Sequence, residues 1–285
     1  MQPNNNYKAL DLEFWANVKL LNQRLGYAER KRNKKSSPGF VVPNKKQILE
    51  VFKEEGLNPE KLVHDNKLTE AGKLLQEYMT YRGSVLVNHV EPNLMNRDQA
   101  KILFEAKRAE LNPACPLPMN KQKGEKRDYA LLTGLVNMLI EANKGEFECD
   151  YDPKELTAIT VDDFPVRTLS RRIDGAFPSI KDPKAIWEIK EYYNTTTFGS
   201  RVADGVYETQ LDGWELWEVR SNLQRDIKHY LIIDDHYTWW AKGRSYLCRL
   251  IDVMHMGLVT EVIFGKEVID RIPALVNEWK KSVCK

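Results

Sequence analysis

Residues 166–193 read VRTLSRRIDGAFPSIKDPKAIWEIKEYY, and they constrain the fold more than any other stretch of the chain. Two runs rich in β-branched and aromatic residues, 166–174 and 185–193, flank a loop of Pro, Gly, Ser and Lys. That pattern predicts a hairpin with a long connection. Side chains alternate faces along a strand, so Glu188 and Lys190 project one way while Trp187, Ile189 and Glu191 project the other. Position 181 lies midway between Asp174 and Glu188, inside the turn-forming segment 178–183. A symmetric hairpin therefore sets Asp174, the last residue of the first strand, opposite Glu188, with β-carbons about 4.5–5.5 Å apart.

Like charges directly opposite each other destabilise a sheet. Two carboxylates so close need a cation, a shared proton or a raised pKa. Mg²⁺ answers that need, because it takes one or two carboxylates and fills its other positions with water and substrate phosphate. Bound there it would polarise a phosphodiester and acidify a water, and Lys190 would orient that water or stabilise charge on the phosphate. Acid-x-Lys triplets are nevertheless frequent in a chain with 41 acidic and 43 basic residues, and most of them are solvated charges. Glu188-Ile189-Lys190 differs in lying inside an aromatic and β-branched run. On spacing alone, a solvated surface and a phosphodiesterase site both stand.

Asp174 followed on the next strand by Glu188-Ile189-Lys190 resembles the PD-(D/E)XK nuclease superfamily, which contains most type II restriction endonucleases. In that family the Asp usually follows Pro, whereas Ile173 precedes it here. The resemblance implies that Asp174 and Glu188 bind Mg²⁺, with the Ile189 carbonyl as a further ligand, and that Lys190 assists the attacking water. It also marks Glu125, near the start of the preceding helix, as a candidate for the metal site. Gln210 is a candidate by analogy with the exonuclease branch, where a Tyr follows four residues later; Trp214 stands there in this chain.

At 285 residues the chain is long enough for one large domain or two modest ones. Its formal net charge of +2 does not demand a nucleic-acid partner, but it allows one if the cations cluster. They do so at Arg30, Lys31, Arg32, Lys34 and Lys35, ahead of Ser, Pro and Gly. That run is either a solvated loop or a set of phosphate contacts to DNA. The four cysteines are scattered without a C-x-x-C pair, which argues for reduced thiols. The N-terminus has no apolar signal core and nothing reaches transmembrane length, so a soluble, cytoplasmic protein without a membrane partner is expected.

Hydrophobic periodicity predicts helices over 7–28, 43–55, 61–81 and 96–111. The Pro-rich connector 112–118 follows, and further helices are predicted over 121–143, 201–220, 246–256 and 266–282. Short strands are expected at 147–151, 156–161, 229–233 and 237–240. The expected architecture is α/β (α+β): residues 1–120 form a helical region for DNA recognition or dimerisation, and residues 121–285 a restriction-endonuclease-like core. In that core a central mixed sheet is flanked by helices in α–β–β–β–α–β order. The function expected from the resemblance is a Mg²⁺-dependent, homodimeric type II restriction endonuclease of double-stranded DNA. A repair, recombination or phage-defence nuclease of the same fold is the alternative, and a non-catalytic DNA-binding protein is the alternative of another class.

Overall fold

The computed structural model describes residues 1–8, 10–29, 39–120, 123–124, 127–193 and 199–284. The chain opens with helices started by polar side chains. Asp11 accepts the Phe14 amide at 2.7 Å and begins α1 (Leu12–Leu25). Asn44 and Gln47 form a reciprocal capping box for α2 (Lys45–Glu54). Residues 61–69, expected to be helical, instead form a small hairpin of β1 (Val63–His64) and β2 (Lys67–Leu68). Asp65 and Asn66 take left-handed backbone angles of φ 45° and 58°, which these two residue types tolerate best, and they reverse the chain. Thr69 then caps α3 (Glu70–Val85). These elements share a core of Phe14, Trp15, Leu21, Phe52, Leu75 and Tyr78.

A π-helical turn, Leu86–Val90, leads through the short α4 (Glu91–Asn93) to α5 (Arg97–Leu111), again started by a capping box, Asn96 with Gln99. Among the described residues the next helix begins at Leu131, ten residues later than the periodicity predicts: α6 runs Leu131–Lys144. Almost every residue of its first ten is buried.

The strands that follow are β3 (Asp150–Tyr151), β4 (Ala158–Val161), β5 (Phe164–Thr168), β6 (Gly175–Phe177) and β7 (Ala185–Glu191). Then come α7 (Ser200–Leu223), β8 (Lys228–Asp234), α8 (Arg244–His255), β9 (Glu261–Phe264) and α9 (Val268–Val283). The main sheet has the order β3-β6-β7-β8-β9, antiparallel up to β7 and parallel from β7 to β9. Trp187, Ile189, Tyr230 and Ile232 pack on one face against α6 and α9. Ile186 packs on the other with Leu216 and Val219 of α7. The mixed sheet flanked by helices agrees with the expected α/β class.

Two strand expectations are corrected. Residues 166–174 are not one strand: β5 pairs with β4 in a separate hairpin around Asp162 and Asp163, whose φ values are 50° and 64°. The strand that pairs with β7 is β6, which begins one residue after Asp174. Residues 237–240 are not a strand either but part of a π-helix, Tyr237–Lys242. The Asp235 carboxylate accepts the Thr238 amide at 3.0 Å, which starts a helical turn, and Trp239 and Trp240 are buried. No helix among the described residues is long and apolar enough to cross a membrane.

Candidate active site at the β6–β7 hairpin

The register of β6 on β7 pairs Gly175 with Trp187, Ala176 with Ile186 and Phe177 with Ala185. Extended by one residue, it sets Asp174 across from Glu188, the pairing that a turn centred on 181 predicts. Asp174 is tied there at both ends. Its amide donates to the Trp187 carbonyl at 3.2 Å, and its carboxylate accepts the Ile189 amide at 2.7 Å. Gly175 is required beside it, because a β-carbon at that position would lie 2.1 Å from the Trp187 ring.

Glu188 is 3% exposed and sits between two cations. The Arg171 guanidinium donates to both of its oxygens, at 2.8 and 3.1 Å, and Lys190 Nζ donates to Oε1 at 2.6 Å. Each cation also reaches α7: Lys190 to Glu208 at 2.6 Å and Arg171 to Asp212 at 2.7 Å. The result is a half-buried network of two cations and three carboxylates, with Asp174 alongside.

Burial and the neighbouring Glu188 charge push the Asp174 carboxyl up to about 7. Burial likewise pushes Asp212 up to about 7 in spite of Arg171, and one Asp212 oxygen has no hydrogen-bond partner among the described residues. Burial acts on Glu188 in the same direction, but Lys190 and Arg171 overcome it and hold that carboxyl below its ordinary value. For Lys190 and Arg171, burial favours loss of the proton and the adjacent carboxylates more than offset it, so both stay charged.

Asp174, Ile189, Lys190 and Glu208 open onto a cleft of about 490 Å³. Among the described residues its walls carry more carboxylates, Asp152, Asp204 and Glu191 among them, than cations, Lys190 and Arg201. Glu191 is engaged elsewhere: it accepts from the Leu132 and Thr133 amides and the Thr133 hydroxyl, and so caps the start of α6. The arrangement provides an unsatisfied carboxylate, a fixed ammonium and an acidic rim, which suits a divalent cation bridging protein to phosphate.

Of the residues singled out from the sequence, Asp174, Glu188, Ile189 and Lys190 come together. Gln210 does not join them; it lines a different cavity, on the far side of α7. Glu125 and the basic residues Arg30, Lys31, Arg32, Lys34 and Lys35 lie outside the described residues. Arg171, Glu208 and Asp212 were not anticipated. Their signal was the series Asp204, Glu208, Asp212 at a spacing of four, which stacks like charges on one helix face. Such a face calls for cations opposite, and Arg171 and Lys190 supply them.

Among the described residues no group of three or more His, Cys, Asp or Glu is arranged to hold a metal ion. A Mg²⁺ site needs only one or two carboxylates, with water and substrate oxygens completing the shell, so the test of fit falls on Asp174. Its carboxylate accepts one amide and is pushed towards neutrality, which is the condition a cation relieves.

Residues 95–279 match the family described as a domain of unknown function, DUF7687, and residues 1–89 match a second such family, DUF7690. No curated protein and no solved structure matches the chain.

Proposed function

We propose that the chain, which belongs to the DUF7687 family, is a Mg²⁺-dependent endonuclease of double-stranded DNA, of type II restriction character. The observation that carries the reading is the register that sets Asp174 across from Glu188, with Lys190 two residues on and on the same face. With the separate β4–β5 hairpin set aside as an insertion, the order α6, β3, β6, β7, α7, β8 supports it, being the α–β–β–β–α–β order of a restriction-endonuclease-like core.

Asp174 and Glu188, with the Ile189 carbonyl, would hold Mg²⁺, which supplies an acidified water and a polarised phosphoryl oxygen when bound. Lys190 keeps its proton because Glu188 and Glu208 flank it, so it serves as a donor: it orients the attacking water and stabilises charge on the phosphate. Glu208 fixes the Lys190 ammonium from the α7 side. Arg171 holds Glu188 in place by donating to both of its oxygens. Without a divalent cation the acidic rim repels a polyanion, so DNA binding in the cleft depends on the metal as well. Cutting both strands takes two such sites, and the proposal therefore includes a homodimer.

The test is cleavage of mixed plasmid and phage DNA in Mg²⁺ and in EDTA, with wild type, Glu188→Ala and Lys190→Ala. Discrete fragments that vanish in EDTA and in both variants support the proposal. Degradation from ends alone moves it to the exonuclease branch. The ion-pairing of both Glu188 oxygens favours a second reading, in which the network only braces a DNA-binding protein. Retarded but intact DNA would decide for that one.

A further inference from the structure

A second cavity, of about 860 Å³, is larger than the cleft. It lies between the end of α1, α7 and α8, and it shares no lining residue with the cleft. Val206, Tyr207 and Gln210 of α7 face the cavity, whereas Asp204 and Glu208 face the cleft, so α7 separates the two.

Its lining is basic and aromatic. Lys19, Lys242, Arg244 and Arg249 line it, and among the described residues none of the four forms a salt bridge. Among the described residues the lining carboxylates are Glu29 and Asp252. Asp252 contributes little free charge, because the fully buried Arg82 donates to both of its oxygens at 2.8 and 2.9 Å and Tyr78 donates to it as well. The cavity therefore carries a surplus of positive charge over a neutralised floor. Tyr27 and Tyr207 supply aromatic surface: the Arg249 guanidinium lies 5.1 Å from the centre of the Tyr27 ring, and Tyr207 is 57% exposed.

We propose that this cavity binds a free nucleotide, with its phosphates on Arg244, Arg249 and Lys242 and its base against the tyrosine rings. Guanidinium groups pair with phosphate in a planar fork that a lysine-only site lacks. Base stacking on aromatic side chains tolerates any base, because every base has a π-face. A volume of about 860 Å³ is that of a compact-ligand site rather than a duplex groove. The cavity also lies where the two family regions meet, α1 belonging to one and α7 and α8 to the other. A nucleotide seated there would bear on α7, whose opposite face carries Glu208 and Asp212.

The proposal is tested by titrating each of the four ribonucleoside triphosphates into the full chain in EDTA, by calorimetry and by thermal shift. At least one is expected to bind saturably, one per chain, and to raise the melting temperature. Arg244→Ala/Arg249→Ala is expected to weaken it about tenfold or more. Tyr207→Ala/Lys242→Ala, at exposed positions that leave the core intact, is expected to weaken it as well. Lys190→Ala, in the cleft, should bind like wild type. The proposal is overturned if no triphosphate saturates by about 1 mM, if both double variants bind like wild type while folded, or if Lys190→Ala abolishes binding.

Discussion

Gly175 shows how one missing side chain can position the carboxylate beside it. The Trp187 ring occupies the space of its absent β-carbon and stacks on Trp279 with ring centres 5.5 Å apart, so the ring has no room to yield. Gly175→Ala should therefore cost about 1–3 kcal/mol by overpacking, read as a lower urea midpoint. Because Asp174 is the adjacent residue, DNA cleavage should fall further than stability does. Asp234 makes a second residue-scale prediction. It is fully buried, accepts the Met95 and Asp235 amides at 2.7 and 2.8 Å and pairs with the Tyr193 hydroxyl. Burial pushes its carboxyl up to about 7. A carboxyl raised on folding stabilises the fold fully below its unfolded value near 4, and that stability is lost as pH rises through about 7. Asp234→Asn, which mimics the protonated acid, should gain on wild type by about 2–3 kcal/mol between pH 5 and pH 8. Equal melting differences at both pH values would contradict this.

At the scale of elements, α7 is the structural centre of the site. Acids four apart on one helix face repel by a few tenths of a kcal/mol per pair in isolation. Here Arg171 and Lys190 make the same face cohesive. Arg171→Ala would strand Asp212 and leave Glu188 with Lys190 alone, and a loss of about 3–5 kcal/mol is expected on chemical denaturation. Glu208→Gln keeps Lys190 paired with Glu188 and should leave stability within about 1 kcal/mol. Its cleavage rate should nevertheless fall, because the Lys190 ammonium loses one of its two anchors.

The hairpin was legible in the sequence because a turn centred on position 181 fixes the pairing arithmetically, whatever the length of the strands. Its first strand was misread because residues 164–168 have strand chemistry but pair with β4, a choice that depends on the Asp162-Asp163 turn. The aromatic run 237–240 shows the same override: its residues favour strands in general, and burial of Trp239 and Trp240 on a π-helix decides otherwise. Arg171 was invisible because its role depends on a loop bringing it to α7, which no local pattern encodes.

At the scale of the whole molecule, the five-stranded sheet divides the labour. One face builds a dry core with α6 and α9, and the other presents Glu188 and Lys190 to α7. The separation explains how a chain can bury an ionic network without weakening its main core. It also predicts that site variants leave the main core intact and the chain folded, so that chemistry and folding can be measured apart. The most direct measurement is the rate of plasmid cleavage in Mg²⁺ by wild type and by Lys190→Met, with the melting temperature of each recorded in the same buffer. The account predicts discrete cleavage by wild type, a rate at least about 100-fold lower in the variant, and a variant that remains folded. Intact plasmid with wild type, or equal rates from the two folded proteins, would contradict it.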